Sequence, residues 1–220
     1  DFFPSIVYPA NIVEQNGADF ITIHLREDRR HIRDEDLFLL KNNISTYLNL
    51  EMACNEDVLS KAIKAKPYKV TLVPEKRDEV TTEGGLDVKN NLTKIKNYCI
   101  ALKNEGIKVS LFIEPDIEEL DNYLFTGADE VEIHTGLYSL SSDQKKVDIL
   151  KGIEEYAKKT NEAKLVVCAG HGLNYHNVHY ICKIKEIVEL NIGYSIITKA
   201  LFVGLGNAVR EMKNLIVESR

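Results

Sequence analysis

Long apolar runs, an excess of basic residues and paired cysteines are all missing from this 220-residue sequence, and each absence excludes a class of protein. No run approaches the roughly 18–20 apolar residues of a membrane span, so no membrane partner is expected. The first residues do not resemble a secretory signal peptide, which favours a cytoplasmic protein. The formal net charge of −6 argues against a nucleic-acid partner, because the phosphate backbone requires a basic surface.

The cysteines and the overall composition are typical of an intracellular globular protein. The four cysteines show no C-x-x-C spacing, which favours free, reduced thiols over disulfides. Hydrophobic residues make up 44% of the chain and charged residues 28%. There is no obvious internal repeat, low-complexity segment or flexible linker. Residues 1–220 are therefore predicted to form a single domain.

Short β-branched runs alternate with segments of helical spacing along the chain. The runs that predict strands are 19–25, 46–52, 68–74, 108–114, 130–136, 164–170 and 186–193. The segments that predict helices are 4–17, 35–44, 55–65, 91–106, 146–160 and 207–219. Strands that alternate with helices at this spacing predict a parallel sheet.

The strand count indicates which parallel fold is present. A (β/α)8 barrel has eight strands, and seven are visible here. We therefore predict an α/β protein, a (β/α)8 TIM barrel with extra helices, whose first strand lies upstream of Asp1. An open, doubly wound sheet is the alternative.

Side-chain alternation along these strands directs ionisable groups toward a common interior. In a parallel barrel, successive side chains face the helices and the lumen in turn. In the run 19–25, Ile21 and Ile23 suit the helix side, which leaves His24 for the lumen. The same rule assigns to the interior Thr22, Arg26, Asn49, Glu51, Glu114, Glu132, His134, Glu189 and Asn191, with His171 just past its strand. Burying so many polar groups unpaired would be costly, so an active site explains them better than a purely structural role.

Glycine-containing loops follow three of the predicted strands, at 80–88, 169–177 and 191–195. In TIM barrels, phosphate often lies between the loops after the last two strands, on backbone N–H groups at a helix N-terminus. The second and third loops are placed for this role, through Gly170, Gly172 and Gly193. The sequence therefore predicts one phosphate site at these loops.

The segment HLREDRRH, residues 24–31, indicates a second anion site. Arg26 points inward by alternation, and His31 and the Thr81–Thr82 hydroxyls are expected nearby. Arg29 and Arg30 are expected to form ion pairs at the surface instead. Two anion sites around one lumen imply either a bisphosphate or two phosphorylated substrates.

Metal and Schiff-base chemistry are the main alternatives for this interior. The spacing of His171, His176 and His179 matches no common zinc pattern. A facial triad of His24, Glu51 and His171 is conceivable. Schiff-base catalysis would need a lysine in the lumen at a strand end, whereas Lys76 and Lys199 lie beyond the strand ends. The remaining candidates are a metal-free phosphosugar lyase or epimerase, a metal-dependent lyase and a non-catalytic sensor of a phosphorylated ligand.

Long motifs in this chain resemble the pyridoxine 5′-phosphate synthase family. They are HLREDRRH (24–31), NLEMA (49–53), LVPEKRDEVTTEGGLDV (72–88), VSLFIE (109–114), EIHTG (132–136), AGHGLNYHNV (169–178) and ELNIG (189–193). The resemblance spans essentially the whole chain. It implies a (β/α)8 barrel that assembles into a homo-octamer and needs no metal or organic cofactor. The implied reaction condenses 1-deoxy-D-xylulose 5-phosphate with 3-amino-2-oxopropyl phosphate to pyridoxine 5′-phosphate, phosphate and water.

The resemblance also implies roles for particular residues. His24 and Glu51 would be general bases, His171 a general acid, and Glu132 a stabiliser of charged transition states. The implied binding residues are Arg26, His31 and Thr81 for the deoxyxylulose phosphate, and Gly172, Gly193 and Tyr194 for the amino-oxopropyl phosphate. Tyr194 stands where the family usually has histidine. The family's first strand and the loop after it have no counterpart in this sequence.

Overall fold

The computed structural model describes residues 5–75 and 84–220, which fold around a curled parallel sheet. Its seven strands are β1 Phe20–His24, β2 Tyr47–Met52, β3 Lys69–Leu72, β4 Lys108–Ile113, β5 Glu130–His134, β6 Val166–Gly170 and β7 Ile187–Asn191. They are hydrogen-bonded in chain order, and every neighbouring pair is parallel. The predicted parallel, TIM-barrel-like fold is confirmed. The doubly wound alternative is wrong, because it requires a strand order that reverses.

Helices connect successive strands and cover the outside of the sheet. They are α1 Val7–Gln15, α2 Asp34–Asn43, α3 Glu56–Ala65, α4 Val88–Asn104, α5 Leu120–Thr126, α6 Gly136–Leu140, α7 Asp143–Glu162, α8 Val178–Cys182, α9 Tyr194–Val203 and α10 Leu205–Ser219. The five-residue α6 and α8 were not predicted, because a periodic pattern cannot be recognised over so few residues. Within residues 5–75 and 84–220, no helix combines the length and the apolar character needed to cross a bilayer.

The main hydrophobic core lies between the outer face of the sheet and the helices. On β2, Leu48, Leu50 and Met52 are buried against this layer, as alternation predicts. Helix α3 begins where the Asn55 side chain accepts the N–H groups of Asp57 and Val58. The apolar face of α3 then contributes Val58, Leu59, Ala62 and Ala65 to the core.

Polar side chains fill the middle of the lumen, where barrels usually carry branched apolar residues. Thr71 Oγ1 donates to Asn49 Oδ1 (2.9 Å), and Asn49 Nδ2 donates to Thr22 Oγ1 (3.4 Å). Thr22 Oγ1 in turn donates to Asn191 Oδ1 (2.9 Å). Thr22 lies on β1 and Asn191 on β7, so side chains of the first and last strands meet across the curled sheet. These hydrogen bonds satisfy the buried polar groups, which would otherwise destabilise the fold.

A buried ion-pair network lies toward the amino ends of the strands. Lys69 Nζ is 2.9 Å from Glu130 Oε2 and 2.7 Å from Glu189 Oε1. The Lys69 side chain is only 1% exposed. The sequence interpretation considered lysines only beyond the strand ends and therefore missed this one. Its alternation with Thr71 on the same strand would have placed it in the lumen.

Candidate active site

A cavity of about 2200 Å³ extends along the lumen from the amino ends of the strands, at Phe20 and Lys108, to their carboxyl ends. His24, Glu51, Glu132 and His171 all line this cavity, so the structure brings together the four residues predicted to be catalytic. The predicted binding residues Arg26, His31, Gly172, Gly193 and Tyr194 line it as well. Thr81 lies in the segment 76–83, outside the described residues. Because the four side chains come from three strands and one loop, their convergence depends on the curvature of the sheet.

His24 and Glu51 lie side by side at the ends of β1 and β2. These residues are paired in the sheet register, and His24 Nδ1 is 3.9 Å from Glu51 Oε2. Burial, together with the positive charge of Arg26, lowers the pKa of His24 to about 4. Burial raises the pKa of Glu51 to about 7. Near neutral pH, His24 is therefore an uncharged base and Glu51 is poised between its two protonation states.

Glu75 is an ionisable group at this site that the sequence interpretation did not assign. Its side chain is 4% exposed, and Oε2 lies 3.5 Å from His24 Nε2. Its other oxygen, Oε1, accepts the backbone N–H of Glu27 (2.9 Å). Burial raises the pKa of this carboxyl as well. Glu75 continues the inward alternation of β3 two residues past Val73, and this signal could have identified it.

Glu132 lies deeper in the lumen, held by Asn191. Asn191 Nδ2 donates to Glu132 Oε2 (2.9 Å) and to Glu189 Oε1 (3.1 Å). The pKa of Glu132 is raised well above its usual value, first by burial and then by the negative charges of Glu51 and Glu189. Lys69 partly offsets this effect. Through Asn191 and Glu189, the ion-pair network is thus linked to the site.

The backbone at His171 is in a left-handed conformation, with φ of 72°, which is unusual for a residue other than glycine. Thr135 Oγ1 donates to the carbonyls of Gly170 (2.8 Å) and His171 (2.6 Å) and holds this turn. The conformation turns the chain sharply at the end of β6. We interpret the strain as the local cost of presenting the imidazole to the cavity.

The two predicted phosphate loops lie next to one another. Ser195 Oγ, in the first turn of α9, donates to the carbonyl of Leu173 (2.9 Å) and ties the loop after β6 to the loop after β7. Gly172 has φ of +76°, and a Cβ there would lie 2.6 Å from Ser139 Cβ, so only glycine fits. Helix α9 begins after Gly193 without a side-chain cap, which leaves its first N–H groups available to an anion.

The arginines of HLREDRRH separate as their alternation predicted. Arg26 is 3% exposed, and its Nε lies 3.6 Å from Asp28 Oδ1 and 3.9 Å from Glu75 Oε1. Arg29 pairs with Asp34 (2.8 Å) and with Asp57, and Arg30 pairs with Asp28. The prediction of ion pairs for Arg29 and Arg30 is confirmed.

One group of potential metal ligands is present among the described residues, formed by Glu130, Cys168 and Glu189. Its ligand atoms lie within 4.8 Å of one another, but Lys69 Nζ already contacts both carboxylates. Burial alone would lower the pKa of Lys69, yet Cys168 and the two carboxylates together raise it. A lysine with a raised pKa is a poor Schiff-base nucleophile, and its ammonium group lies where a cation would contact the two carboxylates.

The curled parallel sheet and the acid–base groups at its carboxyl edge define an α/β-barrel enzyme. The chain belongs to the family described as pyridoxal phosphate biosynthesis protein PdxJ, whose model matches residues 2–218.

Two relatives illustrate this membership. The pyridoxine 5′-phosphate synthase of Prochlorococcus marinus (strain MIT 9312) is 51% identical over 216 residues, covering 98% of this chain and 91% of the relative. That of Sulfurihydrogenibium sp. (strain YO3AOP1) is 50% identical over 220 residues, covering 99% and 90%.

Solved structures of much lower identity share the fold. KGPDC from Streptococcus mutans has a TM-score of 0.69 at 13% identity, covering 96% of this chain and 90% of that structure. Thiamine phosphate pyrophosphorylase from Pyrococcus furiosus has a TM-score of 0.63 at 15% identity, covering 97% and 90%. At these identities the similarity shows the fold alone.

Proposed function

We propose that this chain condenses 1-deoxy-D-xylulose 5-phosphate with 3-amino-2-oxopropyl phosphate to pyridoxine 5′-phosphate, phosphate and water. The observation that carries the proposal is that the acid–base groups line one cavity together with the described residues predicted to form the two anion sites. Family membership and relatives named pyridoxine 5′-phosphate synthase support the same reaction.

The reaction requires repeated proton transfers and no change of oxidation state overall. The amine of one substrate attacks the ketone of the other, and loss of water gives an imine. Enolisation and loss of phosphate follow, and ring closure releases a second molecule of water. We assign His24 and Glu51 as general bases. His24 is uncharged near neutral pH, and the pKa of Glu51 is about 7, so both can accept a proton. His171 serves as the general acid, and Glu132 stabilises charge that develops in the transition states.

The two substrates are assigned to the two anion-binding regions. The deoxyxylulose phosphate binds Arg26, His31 and Thr81, with Arg26 the buried cation among them. The amino-oxopropyl phosphate binds Gly172 and the start of α9 at Gly193 and Tyr194, on backbone N–H groups. Tyr194 is 82% exposed, which leaves its backbone rather than its ring to serve the phosphate.

The wider properties of the protein are part of this proposal. Phosphorylated small molecules are its substrates, and it works as a homo-octamer in the cytoplasm without a metal or organic cofactor. Nucleic acid and membrane are not partners, in keeping with the net charge of −6. That residues 1–220 form a single domain stays a prediction.

The experiment supplies both substrates and detects pyridoxine 5′-phosphate by mass spectrometry, with inorganic phosphate measured in parallel. Product formation that persists with a chelator supports the proposal over a metal-dependent lyase. Conversion of either substrate alone, without ring formation, would instead support a phosphosugar lyase or epimerase. Binding of both substrates without turnover would support the sensor alternative.

Glu51→Gln provides the matching test at the level of a residue. The side chain keeps its size but cannot accept a proton, so kcat should fall by roughly 10²–10⁴-fold while substrate binding is largely kept. Glu56→Gln, on the surface of α3, serves as a control. Undiminished turnover of Glu51→Gln would remove Glu51 from its assigned role.

A further inference from the structure

A pair of side chains behind His171 has no role in the function proposed above. His134 ends β5, and Glu114 follows β4 directly. His134 Nδ1 is 2.6 Å from Glu114 Oε1. The same carboxylate oxygen accepts the backbone N–H of Gly85 (3.1 Å). The carboxylate thus fixes the orientation of the imidazole ring.

The His134 ring lies against the His171 ring. Their centroids are 4.8 Å apart with the planes inclined at 57°, and Phe112 contacts both rings at 5.2 and 6.5 Å. His134 is 7% exposed and does not line the cavity, whereas His171 does. His134 therefore contacts His171, which lines the cavity, although His134 does not line the cavity.

The far nitrogen of His134 is buried and, within the described part of the chain, has no hydrogen-bond partner. Such an atom is costly unless the arrangement serves a purpose. Gly136 leaves space for the two imidazole rings, because a Cβ at position 136 would lie 2.5 Å from His134 Nε2 and 3.3 Å from His171 Cδ2. The motif EIHTG thus places Glu132 in the cavity, His134 behind His171, Thr135 on the carbonyl of His171 and glycine beside both rings.

We propose that His134, oriented by Glu114, is a positioning residue for His171. The carboxylate accepts a hydrogen bond from Nδ1–H, which fixes the orientation of the ring. The His134 ring and Phe112 pack against the His171 imidazole and fix its orientation toward the cavity. The negative charge of Glu114 favours the protonated form of His171, which a general acid requires. The inference rests on the proposed function for the identity of His171 as that acid.

The influence of Glu114 on His171 can be tested because the two groups interact electrostatically. Burial alone would raise the pKa of Glu114, but the hydrogen bond and the charge of His134, the N–H of Gly85 and the charge of His171 outweigh burial and lower it. Glu114 is thus ionised at neutral pH. Glu132 lies against Gly170, the residue before His171, and is a further titratable group close to it.

The test compares His134→Asn and Glu114→Gln with His179→Asn as the control, in the whole chain. Asn keeps a donor near the position of Nδ1 but removes the ring, and Gln keeps an acceptor for Gly85 but removes the charge. His179 contacts Tyr180 on α8, away from the cavity lining. We expect kcat to fall roughly 10–100-fold in the two test variants, the loss usual when a partner that orients a functional histidine is removed. KM for both substrates should be largely kept.

Two further readouts separate positioning from a merely structural role. The rate should fall at high pH as His171 loses its proton. In Glu114→Gln this decline should begin at lower pH, because the negative charge that favours protonated His171 is gone. Nitrogen-15 spectra of histidine-labelled protein without substrate should show a proton on His134 Nδ1. In Glu114→Gln the protonation of that nitrogen should change and the His171 signals should shift, while those of His24 stay in place.

The outcomes divide clearly. A shifted pH limb with displaced His171 signals supports the proposal, and so does a Glu114→Gln effect alone if His134→Asn fails to fold. Folded variants with unchanged kcat, pH limb and His171 signals would overturn it. Absence of pyridoxine 5′-phosphate with the native protein would refute the proposed function, whereas the substrate-free spectra would still decide whether Glu114 and His134 control His171.

Discussion

Replacement of Lys69 by methionine should destabilise the protein far more than the loss of one salt bridge at the surface. Lys69 is 1% exposed and contacts two carboxylates, those of Glu130 and Glu189, which are 7% and 12% exposed. Methionine fills a similar volume but leaves both buried carboxylates without the cation that neutralises them. Breaking a buried ion pair in this way costs about 3–5 kcal/mol of the free energy of unfolding.

Lys66→Met is the matched control. Lys66 Nζ lies 2.8 Å from Glu105 Oε2, a similar distance, but the two side chains are 58% and 38% exposed. An exposed pair contributes about 0–1 kcal/mol. With a slope of about 2–3 kcal/mol per molar urea, Lys69→Met should lower the unfolding midpoint by roughly 1–2 M and Lys66→Met by little. Both are measured by urea denaturation at one protein concentration, because assembly would add to apparent stability.

The pH dependence gives the sharper test of the same idea. Without Lys69, burial should raise the folded-state pKa of Glu130 and Glu189 above the unfolded values. Groups with a raised folded-state pKa stabilise the protein at low pH and lose that contribution as pH rises through it. The deficit of Lys69→Met relative to the native protein should therefore be largest at neutral pH and shrink toward about pH 5. Equal losses in Lys69→Met and Lys66→Met, or a deficit that does not depend on pH, would refute the reasoning.

Three further predictions concern the cavity. Glu51 has a pKa of about 7 and must be ionised to accept a proton, so kcat/KM should decline as pH falls through about 7. A decline that begins only near pH 4 would instead indicate His24 as the base whose protonation limits the rate. Arg26→Ala should weaken binding of the deoxyxylulose phosphate in calorimetry while binding of the amino-oxopropyl phosphate is kept, and an unchanged Kd would contradict the assignment. Gly172→Ala should raise KM for the amino-oxopropyl phosphate and reduce stability by about 1–3 kcal/mol. Its control is Gly106→Ala, which has the same φ of +76° but nothing within 4 Å, so equal effects would show that the contact with Ser139 is unimportant.

Alternation between strand and helix was sufficient to predict the parallel sheet. Each of the seven predicted runs contains an observed strand, because β-branched residues bounded by turn residues are a strong local signal. The inward direction of His24, Glu51 and Glu132 also followed from local geometry, since successive side chains on a strand face opposite sides.

Other features depended on contacts between residues far apart in the chain. Lys69 and Glu189 are 120 positions apart, and Asn191 and Glu132 are 59 apart. Alternation could place each side chain in the lumen, but only the curvature of the sheet decided which of them meet. The short helices α6 and α8 likewise fell below the length at which periodicity is informative.

The sequence by itself determined the strands, the face of each strand that looks inward and the motifs that resemble a family, because these depend on neighbours along the chain. Tertiary structure alone decided which buried charges neutralise one another, how the pKa values of His24 and Glu51 move apart, and that His134 lies against His171. Burial and Coulomb interactions act through space, and they are fixed only when the sheet brings its strands together.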